Sequence, residues 1–452
     1  MQSIRPSTGE VIHSWPMDPR ERVTSVLDTA TEAWRSWRDH EPDTRADVLR
    51  QVASLLRDRR DALATRMADE MGKPVREGAS EVDKCAWLCE HQAEAGPGYL
   101  APRVIETSAA HSEVRYEPLG PILAIMPWNF PLWQVIRFAA PAVMLGNPVL
   151  LKHADNVQGC AEDLVALFED AGAPRGWFAN LRVDHDTVAE LIADRRVAGV
   201  TLTGSVGAGR AVAEQAGRAL KPIVLELGGS DPFIVLDDAD LDAAVRGAVL
   251  GRTLNGGQSC IAAKRFLVAD ALHDAFVERL RAEFDTMTVG DPHDPDTDVG
   301  PMARIDLAEK LRSQVRRSVD AGARVVLGGD DGDGAWVPLT ILTGVRPGMA
   351  AFDEEVFGPV AAVVRVGSAD EAIELANGTT FGLGASVWSG DRARAESMVP
   401  RLHAGTVAIN GIVRSDPRLP FGGIRDSGVG RELAFEGAVA FANAKTVWIE
   451  AE

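Results

Sequence analysis

A chain of 452 residues with a formal net charge of −19 is too long for one small core and too acidic for a typical nucleic-acid-binding protein. With 46% apolar and 25% charged residues, its composition is typical of a globular protein of two or three lobes. Acidic residues are spread along the whole chain, so we expect no nucleic-acid or membrane partner and predict a cytoplasmic location. An anionic substrate would need a local cationic site.

The four cysteines are too few for a disulfide framework. No second pair with metal-ligand spacing accompanies Cys85 and Cys89, and no histidines form an HExxH-type pair, so we predict no metal site. Cys85, Cys89 and Cys160 occupy apolar helical positions and are predicted to be buried. The N-terminus lacks the apolar segment of a signal peptide. The most apolar region, residues 121–151, is interrupted by prolines and polar residues, so a membrane span is not expected.

The predicted elements change in character along the chain. Residues 1–20 look extended and turn-rich, and helical periodicity runs from about Arg20 to Gly96. Residues 104–118 have the short alternating pattern of a β segment. From Ile122 to Leu227 apolar strands alternate with helices, and the alternation restarts after Gly228 and continues to about Asn410. This pattern predicts an α/β fold with mostly parallel, doubly wound sheets, in which ligands bind at the carboxyl ends of strands.

Two segments in the last third of the chain have interpretations that involve structure alone. The glycine- and aspartate-rich residues Gly328–Gly334 are predicted to form an exposed turn. Residues 445–449 are predicted to form a terminal strand that pairs with another segment or with another subunit.

Cys260 lies in a predicted loop between a helix and a strand. A helical pattern begins at Asp240 and stops at Asn255–Gly257, residues that favour a tight turn, and a β-leaning run follows at 265–268. Structural cysteines mostly lie inside regular elements, so a thiol in this loop is a candidate nucleophile. The alternative is a cysteine that follows two glycines without any chemical role.

Two polar residues interrupt apolar segments. Asn129, within Met126–Pro131, has an amide that could stabilise an oxyanion or could cap the following helix. Glu226, within the apolar run 224–227, would cost several kcal/mol if it were ionised and buried without partners. We therefore expect it at the end of a strand, or with a raised pKa suited to a general base. The alternative is an edge-strand glutamate that faces water.

Two further stretches have weaker signals. In residues 200–207 a strand, a Gly204–Ser205 turn and a helix N-terminus could form a phosphate cradle, although glycines in such turns often serve packing alone. Glu354 and Glu355 precede Phe357 and a turn, and an exposed acid pair is the simplest interpretation of them.

These stretches, in this order around Cys260, resemble the aldehyde dehydrogenase superfamily over essentially the whole chain, including Pro420–Glu432. The resemblance implies an aldehyde dehydrogenase-like α/β fold of three parts. Residues 1–103 and 119–227 would form a Rossmann-type cofactor domain, and residues 228–426 an α/β catalytic domain. A small β oligomerisation element, which would support a homodimer or homotetramer, would comprise residues 104–118 and 436–452.

The resemblance implies a cycle of covalent steps. A Cys260 thiolate would add to an aldehyde, and Asn129 and the backbone N–H of Cys260 would hold the alkoxide. Hydride transfer would give a thioester, which water activated by Glu226 would hydrolyse. Gly256 and Gly257 would leave room for nicotinamide and aldehyde at the sulfur. A cofactor-independent cysteine hydrolase remains an alternative, but it would need a histidine near Cys260.

The resemblance also implies that the cofactor is NADP or NAD. Lys152 would bind the adenosine ribose, Gly204 and Ser205 the pyrophosphate, and Glu355 with Phe357 the nicotinamide ribose. Asp155 would repel the 2′-phosphate of NADP, although residues 151–157 are similar to those of NADP-using bacterial succinate-semialdehyde dehydrogenases. Three more residues are predicted to line the cofactor site: Pro127, Trp128 and Leu227.

The expected substrate is succinic semialdehyde, with other small aliphatic or aromatic aldehydes as alternatives. Arg137 could pair with the distal carboxylate of the substrate or could belong to a structural ion pair. A second arginine found in some relatives is replaced by Leu254, and Arg414 or Arg418 could take its place. Three other residues are predicted to contact the substrate: Trp133, Ser259 and Ile261.

Overall fold

The structure is a computed structural model that describes residues 1–329 and 332–451. Its first part is mostly helical. The strands are β1 (Gln2–Arg5), β2 (Glu10–Ser14), β3 (Arg103–Val104) and β4 (His111–Pro118), and the helices are α1 (Arg20–Trp37), α2 (Pro42–Asp58), α3 (Arg60–Met71) and α4 (Val75–Leu100). In α2 the buried residues Leu49, Val52 and Leu56 recur at helical spacing, which explains why this face packs inward.

Residues 122–226 alternate between strands and helices, as predicted. The strands are β5 (Ile122–Met126), β6 (Val149–His153), β7 (Phe178–Asn180), β8 (Gly199–Thr203) and β9 (Ile223–Glu226). The helices are α5 (Trp133–Leu145), α6 (Gln158–Asp170), α7 (His185–Ala193) and α8 (Val206–Arg218). These strands form a parallel sheet in the order β9-β8-β5-β6-β7.

A second run of alternating elements begins at Asp231. Its strands are β10 (Asp231–Val235), β11 (Ala263–Ala269), β12 (Arg324–Leu327), β13 (Thr340–Thr343), β14 (Val360–Val366), β15 (Gly384–Trp388) and β16 (Thr406–Ile409). Its helices are α9 (Leu241–Thr253), α10 (Asp270–Asp285), α11 (Ile305–Asp320), α12 (Ala350–Asp353), α13 (Ala369–Asn377) and α14 (Arg392–Met398). The sheet order is β12-β13-β14-β11-β10-β15-β16, in which β12 pairs antiparallel and the other pairs are parallel.

The last segment contributes to two sheets. Its elements are β17 (Gly428–Val429), α15 (Ala434–Ala438) and β18 (Ala442–Ile449). β17 pairs antiparallel with β9 and completes a six-stranded sheet, whereas β18 joins β4 and β3 in a three-stranded antiparallel sheet. The predicted terminal strand therefore pairs with residues 111–118 of its own chain.

Both large sheets have an apolar core on each face, because successive side chains of a strand point to opposite sides. In β5, Ile122 packs into the core beneath α2, α4 and α5, and its neighbour Leu123 packs into the core on the opposite face. In β10, Ile234 and Phe233 divide in the same way between two cores.

The predicted fold class is confirmed; the domain boundaries stay a prediction. The predicted turn at Gly328–Gly334 lies partly outside the described residues.

Candidate active site

The loop that carries Cys260 is a tight turn between α9 and β11. Asn255, Gly256 and Gly257 all have positive φ, at 57°, 59° and 73°, a conformation that glycine and asparagine adopt more readily than other residues. A Cβ on Gly257 would lie 2.4 Å from the Gly358 carbonyl oxygen. Neither glycine lines either of the two cavities at Cys260, and both allow the turn itself. That they also make room for ligands stays a prediction.

Cys260 is half-buried and lines two cavities, each of about 180 Å³. We call the first the strand-end cavity, because its walls include residues that follow or end β5, β8 and β9. It contains seven of the residues predicted to bind a cofactor: Pro127, Trp128, Gly204, Ser205, Leu227, Glu355 and Phe357. Glu226 and Asn129 also line it. The parallel sheet brings these separate sequence stretches together, as the carboxyl ends of strands were predicted to do.

We call the second the Trp133 cavity. Its walls include four of the residues predicted to contact a substrate: Trp133, Arg137, Ser259 and Ile261. Its other lining residues are Lys73, Glu77, Ser80, Glu81, Lys84, Phe130, Gln134, Leu254, Cys260, Ser415 and Phe421. The structure does not bring Arg414 to this cavity. In the extended loop before Pro420, Ser415 is buried and turns inward, whereas Arg414 is exposed and points to solvent.

Asn129 is held beside the nucleophile loop. Its Nδ2 donates to the Gln258 carbonyl oxygen at 3.0 Å, and its own backbone oxygen accepts from Asn255 Nδ2 at 2.7 Å. The side chain does not cap α5, because the N–H groups of Leu132 and Trp133 donate to Glu81 Oε1 instead. An amide has two N–H groups, so Asn129 keeps a second donor.

Glu226 is the last residue of β9 and is only 3% exposed, so the alternative of a water-facing glutamate is wrong. Neither of its carboxylate oxygens has a hydrogen-bond partner among the described residues. Burial, and then the negative charge of Glu432, raise the pKa of the Glu226 carboxyl well above its usual value, while Arg137 and Arg431 oppose this shift. The result is a carboxyl that favours its neutral form.

Burial raises the pKa of the Cys260 thiol to about 11, although the positive charges of Arg137 and Lys264 favour the thiolate. Lys264 is fully buried, and its Nζ donates to the carbonyl oxygens of Cys260 at 2.6 Å and Ser259 at 3.0 Å. Sequence reasoning missed Lys264, because a lysine at the start of an apolar strand has no local signal of its role.

The two adjacent acids at 354 and 355 have different environments. Glu354 forms an ion pair with Arg317 at 2.6 Å near the surface. Glu355 turns inward, accepts from the Gly229 N–H at 3.0 Å and lies 3.4 Å from Lys264. An exposed pair, the simplest interpretation of the sequence, is therefore wrong for Glu355.

Lys152 and Asp155 line a separate cavity of about 580 Å³. Lys152 Nζ forms an ion pair with Asp155 Oδ1 at 2.9 Å, and the Asp155 side chain is 62% exposed. At the strand-end cavity, Ser205 is the N-cap of α8, and its hydroxyl accepts from the Ala208 N–H at 3.3 Å. The first turn of α8 thus presents backbone N–H groups and the positive end of a helix dipole.

Arg137 is 2% exposed, and its charge is engaged within the protein. Its Nε donates to Glu432, its Nη2 lies 3.4 Å from Thr203 Oγ1, and its guanidinium lies 4.7 Å from the centre of the Phe421 ring. The structure therefore shows Arg137 in a structural ion pair, and the same residue also lines the Trp133 cavity.

A group of charged residues on or beside α4 escaped the sequence analysis. Lys73, just before α4, pairs with Glu81 and donates to the Asn129 carbonyl oxygen at 3.0 Å. Glu77 accepts from the Asn255 N–H at 2.8 Å, and burial raises the pKa of its carboxyl to about 7. Lys84 lies one turn beyond Glu81. Their spacing of three or four residues, which places them along one helix face, was the available signal.

Three observations concern other kinds of site. No histidine within residues 1–329 and 332–451 lines either cavity at Cys260. Among the same residues no group of three or more His, Cys, Asp or Glu side chains could hold a metal ion. No helix in the described part of the chain is long and apolar enough to cross a membrane.

Comparison with known proteins agrees with this arrangement. Residues 1–447 match the aldehyde dehydrogenase family. The chain is 48% identical over 450 residues to the succinate semialdehyde dehydrogenase (NAD(P)+) Sad of Escherichia coli, with 99% of this chain and 97% of that protein covered. It is 46% identical over 449 residues to a probable succinate-semialdehyde dehydrogenase (NADP+) of Synechocystis, with 99% of each covered.

A solved structure extends the comparison. The succinic semialdehyde dehydrogenase of Streptococcus pyogenes, crystallised in complex with NADP+ as the cofactor, superimposes with a TM-score of 0.97 at 38% identity, and all of each chain is covered. The chain therefore belongs to the aldehyde dehydrogenase family, as its motifs predicted. The similarity to bacterial succinate-semialdehyde dehydrogenases is also confirmed, since the relatives described above carry that name.

Proposed function

We propose that this protein oxidises succinic semialdehyde to succinate, with NADP or NAD as hydride acceptor and Cys260 as nucleophile. The observation that most supports the proposal is that Cys260 lines both the strand-end cavity and the Trp133 cavity. A thiol at this junction can contact an aldehyde on one side and a hydride acceptor on the other. The names of the E. coli and Synechocystis relatives, which match nearly the whole chain, support the choice of substrate.

The first step is addition of the Cys260 sulfur to the aldehyde carbon. A thiol with a pKa of about 11 is mostly protonated at neutral pH, so a base must accept its proton. Glu226 lines the same cavity, and its raised pKa makes the ionised form a stronger base than an ordinary carboxylate. The carbonyl oxygen becomes an alkoxide, which the free N–H of Asn129 and the Cys260 backbone N–H stabilise.

Two steps then release the acid. Loss of a hydride from the thiohemiacetal carbon gives a thioester, and a nicotinamide held in the strand-end cavity would be the acceptor for this hydride. Glu226 first releases the thiol proton to solvent and then removes a proton from water, which attacks the thioester carbon. The carbon–sulfur bond breaks, succinate leaves, and the Cys260 thiolate can recover a proton from Glu226. A glutamate at this position favours hydrolysis of the thioester.

The residues of the strand-end cavity fit a nicotinamide dinucleotide. The N-terminus of the 13-residue helix α8 suits a pyrophosphate, since free N–H groups and the helix dipole favour anions. A Cβ on Gly228 would lie 2.4 Å from Glu355 Oε2, so a glycine there lets this carboxylate reach the cavity, where it can accept from ribose hydroxyls. Trp128 and Phe357, which pack edge to face at 5.8 Å, form an aromatic wall.

We propose that both NADP and NAD are used. Lys152 can bind the adenosine ribose or a 2′-phosphate, and Asp155 holds its ammonium at 2.9 Å. The negative charge of Asp155 disfavours a 2′-phosphate, which weakens a preference for NADP. The relatives' names include NADP+ and NAD(P)+, which supports the use of the phosphorylated cofactor.

The same proposal covers assembly and location. The three-stranded sheet exposes Val104 at one edge and Trp448 and Ile449 at the other, with 64%, 48% and 52% of their surface accessible. Exposed strand edges with apolar side chains favour pairing between chains. We therefore propose a homodimer or homotetramer built through this sheet, in the cytoplasm.

A substrate panel tests the proposal. Purified protein would be assayed with succinic semialdehyde and with butanal, each with NADP and NAD, by the absorbance of the reduced nicotinamide. We expect higher kcat/KM for succinic semialdehyde. Equal values for the two aldehydes would favour the alternative of a general small-aldehyde dehydrogenase. Ester hydrolysis without any cofactor binding would favour the cysteine hydrolase, although no histidine among the described residues lines the cavities at Cys260.

A further inference from the structure

The Asn129 amide and the Cys260 backbone N–H, which are proposed to stabilise the alkoxide, lie in different segments of the chain. Asn129 follows β5, and Cys260 lies between α9 and β11. A donor stabilises an oxyanion only when it lies about 3 Å from the oxygen atom, and a misplacement of about 1 Å can cost about a hundredfold in rate. Groups that hold the two segments together can therefore affect the reaction without contacting the substrate.

The two segments contact each other through amide hydrogen bonds. Asn129 Nδ2 donates to the Gln258 carbonyl oxygen at 3.0 Å, and Asn255 Nδ2 donates to the Asn129 carbonyl oxygen at 2.7 Å. Asn255 Nδ2 also lies 3.0 Å from the Gln258 carbonyl oxygen. The position of the Asn129 amide relative to the turn therefore depends on where the two backbones are held.

Three charged side chains on or beside α4 hold these two backbones. We call Lys73, Glu77 and Glu81 the α4 clamp. Lys73 Nζ donates to the Asn129 carbonyl oxygen at 3.0 Å and pairs with Glu81. Glu77 accepts from the Asn255 N–H at 2.8 Å. The clamp therefore binds one backbone group in each segment.

Glu81 fixes the Asn129 segment at a second place. Its Oε1 accepts from the N–H groups of Leu132 and Trp133 at 2.9 and 2.8 Å, where α5 begins, and its Oε2 pairs with Lys73. Hydrogen bonds to an ionised group are roughly twice as strong as those between neutral groups. Lys73 and Glu81 are 1% and 5% exposed, so little water competes for these bonds. A buried ion pair adds little net stability, because desolvation offsets the attraction, so this pair fixes geometry more than it stabilises the fold.

We propose that the three residues of the α4 clamp are positioning residues: they keep the Asn129 amide and the Cys260 N–H at the separation that the alkoxide requires. This inference rests on the proposed function, in which those two groups stabilise the alkoxide. Because the clamp acts through the backbones of Asn129 and Asn255, it should affect every aldehyde alike.

Two reactions of Cys260 separate positioning from other effects. Aldehyde oxidation passes through an alkoxide, whereas alkylation by iodoacetamide displaces iodide and forms no alkoxide. In Lys73→Met, kcat/KM at saturating cofactor should fall about ten- to hundredfold for both succinic semialdehyde and butanal. The alkylation rate should stay close to that of wild type, since the charges that act most strongly on the Cys260 thiol belong to Arg137 and Lys264.

Glu77→Met tests the other side of the clamp and leaves the pair of Lys73 and Glu81 intact. It removes the acceptor of the Asn255 N–H, so kcat/KM for both aldehydes should fall while the alkylation rate is retained. Glu77→Gln, which keeps an acceptor oxygen, should recover much of the lost activity. Lys73→Arg should also recover activity, since a guanidinium can pair with Glu81 and donate to a carbonyl oxygen.

Glu70→Met is the matched control. Glu70 is 1% exposed and accepts from the N–H groups of Gly159 and Cys160 at the start of α6, at 2.8 and 2.9 Å, much as Glu81 does at α5. It lines neither cavity at Cys260. Its substitution should lower the free energy of unfolding without changing the ratio of the oxidation rate to the alkylation rate.

The possible results separate this inference from the proposed function. If wild type oxidises neither aldehyde, the proposed function fails and this inference with it. If wild type oxidises them and the clamp variants keep its ratio of oxidation to alkylation, only the inference is overturned. An equal fall in both reactions would also overturn it, because the whole site would then be disturbed. A loss confined to succinic semialdehyde would do the same, because the clamp would then bind the substrate instead of positioning the donors.

Discussion

The buried ion pair between Arg137 and Glu432 joins two residues that lie 295 positions apart in the chain. Glu226 lies within range of both charges: Glu432 raises the pKa of the Glu226 carboxyl, and Arg137 lowers it. Arg137 therefore acts on both catalytic candidates, since its positive charge also favours the Cys260 thiolate. One arginine thus links the wall of the substrate cavity to the base and the nucleophile.

Arg137→Leu should impair the enzyme with both types of aldehyde. Removing one partner of a buried pair leaves Glu432 uncompensated, which typically costs about 3–5 kcal/mol in the free energy of unfolding. Denaturant unfolding and steady-state kinetics would measure the two effects. The double variant Arg137→Leu with Glu432→Leu should regain much of the stability. A selective rise in KM for succinic semialdehyde, with unchanged stability, would instead indicate that Arg137 binds the substrate carboxylate directly.

Glu226→Gln should stall turnover and stabilise the fold. Without the base, thioester hydrolysis should slow by about 10²–10⁴-fold, so that rapid mixing shows at most one equivalent of reduced cofactor per site. Normal steady-state turnover would rule out Glu226 as the base for hydrolysis. Burial raises the folded-state pKa of Glu226 above its unfolded value, so folding binds a proton and wild type loses stability as pH rises above about 4.5.

The stability of Glu226→Gln should therefore exceed that of wild type at neutral pH by up to about 3 kcal/mol, since wild type loses at most about 1.4 kcal/mol for each pH unit above the unfolded pKa. The difference should vanish at a pH below the unfolded pKa, where the carboxyl is protonated in both states. Thermal unfolding at several pH values would measure it. A variant that is less stable than wild type at neutral pH would contradict the raised pKa.

Alkylation of Cys260 should report its protonation. With a thiol pKa of about 11, the rate of reaction with iodoacetamide in the absence of cofactor should rise about tenfold for each pH unit between about 7 and 10. Lys264→Met should slow alkylation at a given pH, since it removes a charge that favours the thiolate. Cys85, Cys89 and Cys160 are buried, so Cys260→Ala is the control that should remove the fast reaction. A plateau near neutral pH would contradict the raised pKa.

Asp155→Ser should shift cofactor preference towards NADP. The substitution removes a negative charge and frees the Lys152 ammonium, and about 1 kcal/mol of repulsion in water corresponds to about a fivefold change. The ratio of kcat/KM for NADP to that for NAD measures the effect. Asp163→Ser, on the exposed side of α6, is a suitable control, since Asp163 pairs with Arg66 and lines no cavity at Lys152. An unchanged ratio would mean that Asp155 does not face the 2′-phosphate.

The fold class and the candidate catalytic residues could be predicted from the sequence alone. Apolar strands that alternate with helices allow little other than parallel sheets covered on both faces, because their side chains must be buried on both sides. A purely structural role does not explain a cysteine in a loop after two glycines or a glutamate in an apolar run. Both Cys260 and Glu226 can therefore be recognised as candidates from their neighbouring residues alone.

The partners of the charged groups, in contrast, depend on the tertiary structure. No local spacing shows that Arg137 meets Glu432, that Lys84 meets Ser415, or that Glu355 turns inward while Glu354 stays at the surface. The sequence offered several arginines for a substrate carboxylate, but a charge is available to a ligand only when no protein group neutralises it. That condition depends on contacts between segments far apart in the chain, which only the folded arrangement of sheets and helices creates.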